Sequence, residues 1–120
     1  MSTLEVSNLN DGTTTVGTAY ITNGSAKAWV TKNLDGTAIE DSFNVSSLTD
    51  VGTGIHQFTF SNAFSNNTYQ YSTGTRSDGV RIYTSPTGNI ATTYLQIRAY
   101  NLSEALSDRE SGTAIHGDLA

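Results

Sequence analysis

Hydrophobic and polar residues alternate along most of the chain from residue 26 onwards, and this period of two is typical of β-strands. The clearest run covers residues 92–100, where Leu95, Ile97 and Ala99 fall on one face. Because successive side chains of a strand point to opposite faces of a sheet, each run predicts a strand with one buried face. Further runs of this kind lie at residues 26–31, 37–45, 55–60, 69–72, 79–84 and 113–119.

The segments between these runs contain turn residues. Asp35-Gly36 is a dipeptide typical of hairpins. Residues 46–54, with two glycines, predict a loop, whereas residues 101–112 are compatible with one helical turn or a polar loop. About seven strands at regular spacing predict an all-β fold, an antiparallel β-sandwich.

The first 25 residues differ from the rest of the chain. Leu4, Val6 and Leu9 are followed by the polar run 10–15, and one short strand is predicted near residues 18–22. We interpret residues 1–25 as an extended docking arm of weak intrinsic structure and residues 26–120 as the sandwich domain. The alternative is that residues 1–25 form a first strand pair of that domain.

Composition excludes several classes of function. The net charge is −5, so there is no broad basic face for nucleic acid, and there is no cysteine for a disulfide or a thiolate site. The apolar runs are too short for insertion into a membrane. No catalytic motif is present, and two histidines are too few for a histidine-rich metal site. We therefore predict a non-enzymatic protein without a cofactor; a calcium site built from separate loops stays open.

Aromatic residues supply two candidate surfaces. One face of the 92–100 run carries tyrosines that could stack on sugars or fill a pocket of a partner, although the same residues could line a subunit interface or one side of the core. Its members are Tyr94, Gln96, Arg98 and Tyr100. The second set is predicted to form the core or an interface and consists of Trp29, Phe43, His56, Phe58 and Phe60.

Several sequence motifs of the chain resemble motifs in structural proteins of tailed bacteriophages, many of them from marine and cyanobacterial hosts. These motifs lie at residues 26–30, 41–50, 52–54, 58–63 and 115–120. In larger relatives the similar domain forms the tip of a tail fibre. The resemblance implies a β-sandwich that acts in the virion, after assembly in the host cytoplasm, as a homotrimer.

The resemblance and the arm together lead to a specific expectation. A chain of 120 residues cannot itself form a long fibre, so it has to dock onto another virion protein. We expect a small tail-associated fibre or adhesin that docks through Leu4, Val6 and Leu9 and contacts the host surface, including its glycans. The alternatives are a capsid cement or decoration protein and a carbohydrate-binding module.

Overall fold

The computed structural model describes residues 1–76, 78–84 and 87–120 of the chain. These residues form antiparallel β-sheets with one short α-helix and a single turn of 3-10 helix. The elements of the first 25 residues are β1 (Asn8–Asn10), β2 (Thr15–Gly17) and α1 (Thr18–Gly24). The strands that follow are β3 (Ala28–Lys32), β4 (Ile39–Phe43), β5 (Val45–Gly52), β6 (Ile55–Phe60), β7 (Gln70–Thr75), β8 (Val80–Thr84), β9 (Tyr94–Asn101) and β10 (Ser111–His116), and the 3-10 turn is Thr87–Asn89.

The strands form three separate sheets. The first sheet has the order β4-β3-β10-β7, and the second has the order β5-β6-β9-β8. Strands β1 and β2 pair only with each other, as an N-terminal hairpin. All named pairs are antiparallel, so the prediction of an all-β fold is confirmed.

One hydrophobic core takes side chains from both four-stranded sheets. From the first sheet come Val30 and Ile115, and from the second come Phe58 and Ile97, all almost completely buried. Burying a side chain of this size stabilises the fold by roughly 1.5–3 kcal/mol, because its apolar surface is removed from water. The period of two therefore places one face of each sheet in the core, as the sequence predicts.

An aromatic cluster closes one part of this core. The rings of Phe60, Phe64 and Tyr69 lie with centroids 4.6–5.8 Å apart. The buried Tyr69 hydroxyl donates hydrogen bonds to the carbonyl oxygens of Ala91 and Tyr94, at 3.0 and 2.9 Å. Burial raises the pKa of Tyr69, because the charged phenolate would lose its hydration there. Tyr69 is thus a neutral donor that links the start of β7 to the start of β9.

The chain passes from the first sheet to the second at Asn44, between β4 and β5. Asn44 has a left-handed backbone conformation, with φ of 56°, which asparagine tolerates better than most residues. Its side-chain oxygen accepts a hydrogen bond of 2.7 Å from the Asn62 amide, and its Nδ2 donates to the Asn62 carbonyl at 3.1 Å. These contacts fix the corner against the segment that follows β6.

Two predictions from the sequence are wrong about secondary structure. Residues 46–54 were predicted as a loop, but most of them belong to β5, an edge strand in which only Val45 and Leu48 pack against the core. The run at residues 18–22 was predicted as a strand, but it lies in helix α1. With β5 included, the described part of the chain has eight strands in the two four-stranded sheets, where the sequence predicted about seven.

For residues 101–112 a helical turn or a loop was open; residues 102–110 form a loop between β9 and β10, and residues 111–112 already belong to β10. The Asn101 side-chain oxygen accepts hydrogen bonds from the amides of Ser103 and Ala105, at 2.9 and 3.1 Å. Glu104 adopts a positive φ of 63°, which is incompatible with an α-helix. The loop therefore turns sharply after β9.

Candidate docking surfaces

The N-terminal hairpin has a tight turn that is held by side chains. The Asp11 carboxylate accepts hydrogen bonds from the amides of Thr13 and Thr14, at 2.9 and 2.7 Å. Gly12 supplies the positive φ of 97° that the turn requires. The amides of Thr14 and Thr13 lower the pKa of Asp11, since they stabilise its charged form. The arm is therefore a folded hairpin followed by a helix, and the prediction of an extended arm is wrong.

Helix α1 begins on the hairpin itself. The Thr18 amide donates to the Ser7 carbonyl at 2.9 Å, and the Thr18 hydroxyl donates to the Val6 carbonyl at 2.9 Å. The helix ends after Gly24, where the Ser25 amide donates to the Ile21 carbonyl at 3.1 Å. These bonds hold the first residue of the helix against the chain before β1.

Residues 1–25, called here the N-terminal segment, bury none of their side chains. A groove of about 420 Å³ between hairpin and helix is lined by apolar Leu9, Val16 and Ile21 together with polar residues of the turn. Apolar side chains that remain in water in this number are typical of a surface that a partner covers. The large hydrophobic residues that are exposed here are Met1, Leu4, Val6, Leu9, Val16, Tyr20 and Ile21.

The N-terminal segment is tied to the rest of the chain at its base. Nδ1 of His116, at the end of β10, lies 3.1 Å from the Gly24 carbonyl oxygen. Just beyond the segment, the Lys27 amide donates to the Ile115 carbonyl at 2.8 Å. The exposed hairpin is thus anchored where helix α1 leads into β3.

The residues predicted as core or interface separate into two groups. His56, Phe58 and Phe60 alternate along β6 and are buried, as predicted. Phe43 is 56% exposed, and Trp29 is half-buried. These two residues lie opposite each other on β4 and β3, on the face that points away from the core. Trp29 and Phe43 are therefore outer-face residues rather than core residues, because their position in the alternation is opposite to that of Ala28 and Val30.

The predicted tyrosine face lies on β9, where the alternation places it. Tyr94, Arg98 and Tyr100 are half-buried, and Gln96 is only 9% exposed. These four residues lie on one face of β9, and the buried Leu95, Ile97 and Ala99 lie on the other face of the same strand. The structure thus brings the predicted set together but leaves its tyrosines only partly accessible.

Sequence reasoning missed a buried polar cluster at one end of the two sheets. Lys32, the last residue of β3, and His56 are both 0% exposed. The Lys32 ammonium donates to the carbonyl oxygens of Asn33 and Arg109. Burial lowers the pKa of Lys32, against the attraction of nearby carboxylates, Asp108 first among them. The signal was present in the sequence, since Lys32 continues the inward positions of Ala28 and Val30.

The described residues were searched for groups of metal-ligating side chains and for helices that could span a membrane. Within them, no group of three or more histidine, aspartate or glutamate side chains is arranged to hold a metal ion. No helix found in the described ranges is both long enough and apolar enough to cross a bilayer.

Comparisons of the chain with protein-family models, with curated proteins and with solved structures found no match.

Proposed function

We propose that this chain is a non-enzymatic structural protein of a bacteriophage particle that docks onto another virion protein through its N-terminal segment. The observation that carries the proposal is the exposure of that segment: it has seven large hydrophobic residues in water and no buried residue. A hairpin with strands of three residues and a helix of seven residues are each marginal in isolation. A partner that covers them would supply the missing hydrophobic stabilisation.

The phage assignment rests on the sequence resemblance described above. Within that class we favour a tail-associated fibre or adhesin, because the resemblance is to the tip domain of tail fibres. The two four-stranded sheets would then pack as a β-sandwich, three copies would form a homotrimer, and the partner would be a tail protein. Contact with a host-surface glycan belongs to the same proposal.

Capsid cement or decoration is the first alternative, since the same segment could lie along a neighbour in the head lattice. A carbohydrate-binding module is the second alternative. The half-buried state of Tyr94 and Tyr100 gives it less support, because a sugar ring stacks on an accessible aromatic face.

Copy number in purified particles tests the location. Quantitative mass spectrometry, referenced to the major capsid protein, should find a few to some tens of copies for a tail protein. Hundreds of copies would favour capsid decoration, and absence from the particle would overturn the proposal.

Substitutions in the N-terminal segment test the docking surface. Leu9→Asn and Ile21→Asn together should reduce incorporation into particles at least tenfold, while the circular dichroism and melting temperature of the remaining chain stay unchanged. Val51→Asn is the matched control, because Val51 is similarly exposed, at 51%, but lies on β5. Equal incorporation of the wild type, the double variant and Val51→Asn would contradict docking through this segment.

A further inference from the structure

A buried histidine connects the two four-stranded sheets at one end. His56 belongs to β6 of the second sheet, and its Nε2 lies 3.3 Å from the carbonyl oxygen of Asp35. Asp35 is in the turn that joins β3 to β4 of the first sheet. The imidazole is therefore a direct polar link between the second sheet and a turn of the first.

The backbone of the turn at Asp35-Gly36 lies directly against the imidazole ring of His56. Gly36 has a φ of 71°, and a Cβ atom added to it would lie only 1.9 Å from Cδ2 and Nε2 of His56. No side chain fits between this backbone and the ring. A shift of the imidazole ring would therefore displace the backbone of the turn.

The hydrogen bonding of His56 defines its protonation. With the proton on Nε2, the ring donates to the Asp35 carbonyl, and Nδ1 needs no acceptor. Nδ1 is buried and has no hydrogen-bond partner among the described residues. A second proton on Nδ1 would create a charged donor without an acceptor in a site that excludes water, which is unfavourable.

The charged groups around His56 oppose one another. The Lys32 ammonium, on β3, repels a second positive charge, whereas the carboxylates of Asp108 and Asp50 attract it from 3.8 and 3.9 Å. Asp108 is in the loop before β10, and Asp50 is in β5. Burial and then the charge of Lys32 outweigh the hydrogen bond to the Asp35 carbonyl and the two carboxylates, so that the pKa of His56 is lowered below 6.5.

The loop before β10 is held at the same place. The Gly54 amide donates a hydrogen bond of 2.6 Å to the Asp108 carboxylate, and the Lys32 ammonium donates to the Arg109 carbonyl. The position of this loop thus depends on the same small group of charges. A positive charge on His56 would compete with Gly54 for Asp108.

We propose that His56 is an acid-sensitive latch between the two sheets: when its Nδ1 takes up a proton, the turn at residues 33–38 detaches and the loop at residues 107–110 loosens. The open form exposes the imidazole, so that it binds a proton as readily as a free histidine. The closed form resists that proton. This device is independent of how the N-terminal segment docks.

The sign of the pH dependence follows from this difference. Because the pKa of His56 is lowered in the closed form, the latch contributes its full stability above pH 6.5 and loses it as the pH falls below 6.5 towards the lowered value. In this interval the equilibrium constant for opening rises about tenfold for each unit by which the pH falls. Below the lowered value it becomes constant.

Amide hydrogen exchange, corrected for the intrinsic effect of pH, tests the latch on the full chain. The amides of Gly36 and Gly54 should open with this pH dependence between pH 7.5 and 5.0 in the wild type. His56→Gln, which keeps a polar side chain but cannot be protonated, should make their opening independent of pH. His116→Gln is the matched control and should behave as the wild type, since His116 contacts the Gly24 carbonyl instead. An unchanged pH dependence in His56→Gln would overturn the proposal.

A titration of the wild type keeps the test decisive even if His56→Gln does not fold. The chain has two histidines, so their ring signals in a proton–carbon NMR spectrum can be assigned by the His116→Gln variant. The His56 midpoint should lie below 6.5, and the Gly36 amide shift should follow the same midpoint. A His56 midpoint at or above 6.5, or a Gly36 amide that does not follow it, would contradict the latch.

Discussion

The N-terminal segment and the body (residues 26–120) use apolar residues in opposite ways. Among the residues of the body whose burial the structure describes, ten hydrophobic residues are buried, and Val30, Leu95 and Ile115 are at most 1% exposed. In the segment, no residue is buried, although Leu4 and Tyr20 are typical core residues by type. A hydrophobic residue in the sequence therefore indicates burial only when the folded chain provides a second layer for its side chain to pack against.

The physical reason for the difference is the number of layers. The body has two sheets whose apolar faces share one core. The segment has one two-stranded hairpin and one helix of seven residues, so its apolar side chains have little to pack against. The segment therefore obtains little hydrophobic stabilisation from its own chain, whereas the body obtains most of its stability in this way.

Removing a large side chain from each region should give the greatest difference. Phe58→Ala should lower the free energy of unfolding of the body by roughly 3–5 kcal/mol, because Phe58 is 1% exposed and its removal leaves a cavity. Leu9→Ala, in the segment, should change it by less than about 0.5 kcal/mol. Urea unfolding of both variants measures this, and similar losses would mean that the segment and the body fold as one unit.

Glycines in the two turns provide the next comparison. Gly36 and Gly12 both have a positive φ, but only Gly36 lies against another side chain, that of His56. Gly36→Ala should destabilise the body by about 2–4 kcal/mol, from backbone strain and steric overlap together. Gly12→Ala should leave unfolding of the body within about 0.5 kcal/mol of the wild type. Thermal unfolding distinguishes the two, and a small effect of Gly36→Ala would refute the tight contact with His56.

Tyr69 and Tyr20 differ in the environment of their hydroxyl groups, which is buried for Tyr69 and exposed for Tyr20. Tyr69→Phe removes a buried donor from the carbonyls of Ala91 and Tyr94 and should cost about 1 kcal/mol in unfolding free energy. Tyr20→Phe is the control, because Tyr20 is 79% exposed in the segment, and it should have no measurable effect. If chemical denaturation gave equal values for both variants, the buried hydrogen bonds of Tyr69 would contribute nothing net.

The smallest expected effect is the weakening of the N-terminal hairpin turn when Asp11 is protonated at low pH. The amides of Thr14 and Thr13 lower the pKa of Asp11 below 3.8, so its support of the turn is present above pH 3.8 and is lost as the pH falls through the lowered value. The amide NMR shifts of Thr13 and Thr14 should follow that midpoint and should not titrate in Asp11→Asn. A midpoint at or above 3.8 would show that the carboxylate does not hold the turn.

The sequence predicted the parts of the fold whose alternation is regular. Strands β6 and β9 were predicted with their buried faces, and the turn at Asp35-Gly36 lies between β3 and β4 as expected. In these strands the buried inward positions are apolar except for His56, so that local pattern and burial agree at these positions. The inward positions of β3 were also correct as far as Val30.

Other elements could not be read from local pattern. β5 is an edge strand with mostly polar residues, which resembles a loop until its pairing with β6 is known. At the start of helix α1, Thr18 binds carbonyl groups of Val6 and Ser7, a contact between residues eleven and twelve positions apart. The buried Lys32 is held by the carbonyl of Arg109, which is far along the chain. Such contacts depend on the assembled structure rather than on neighbouring residues.

The burial of Lys32 has a practical consequence for chemical labelling. The chain has only two lysines, and Lys32 is inaccessible to reagents in solution. For amine-reactive dyes and sensor surfaces, Lys27 is therefore the accessible lysine side chain. It lies beside the N-terminal segment, so that a protein immobilised through this side chain presents its body and hides the segment. Coupling through carboxylates, of which nine of the eleven lie in the body, would leave the segment exposed in most of the immobilised molecules.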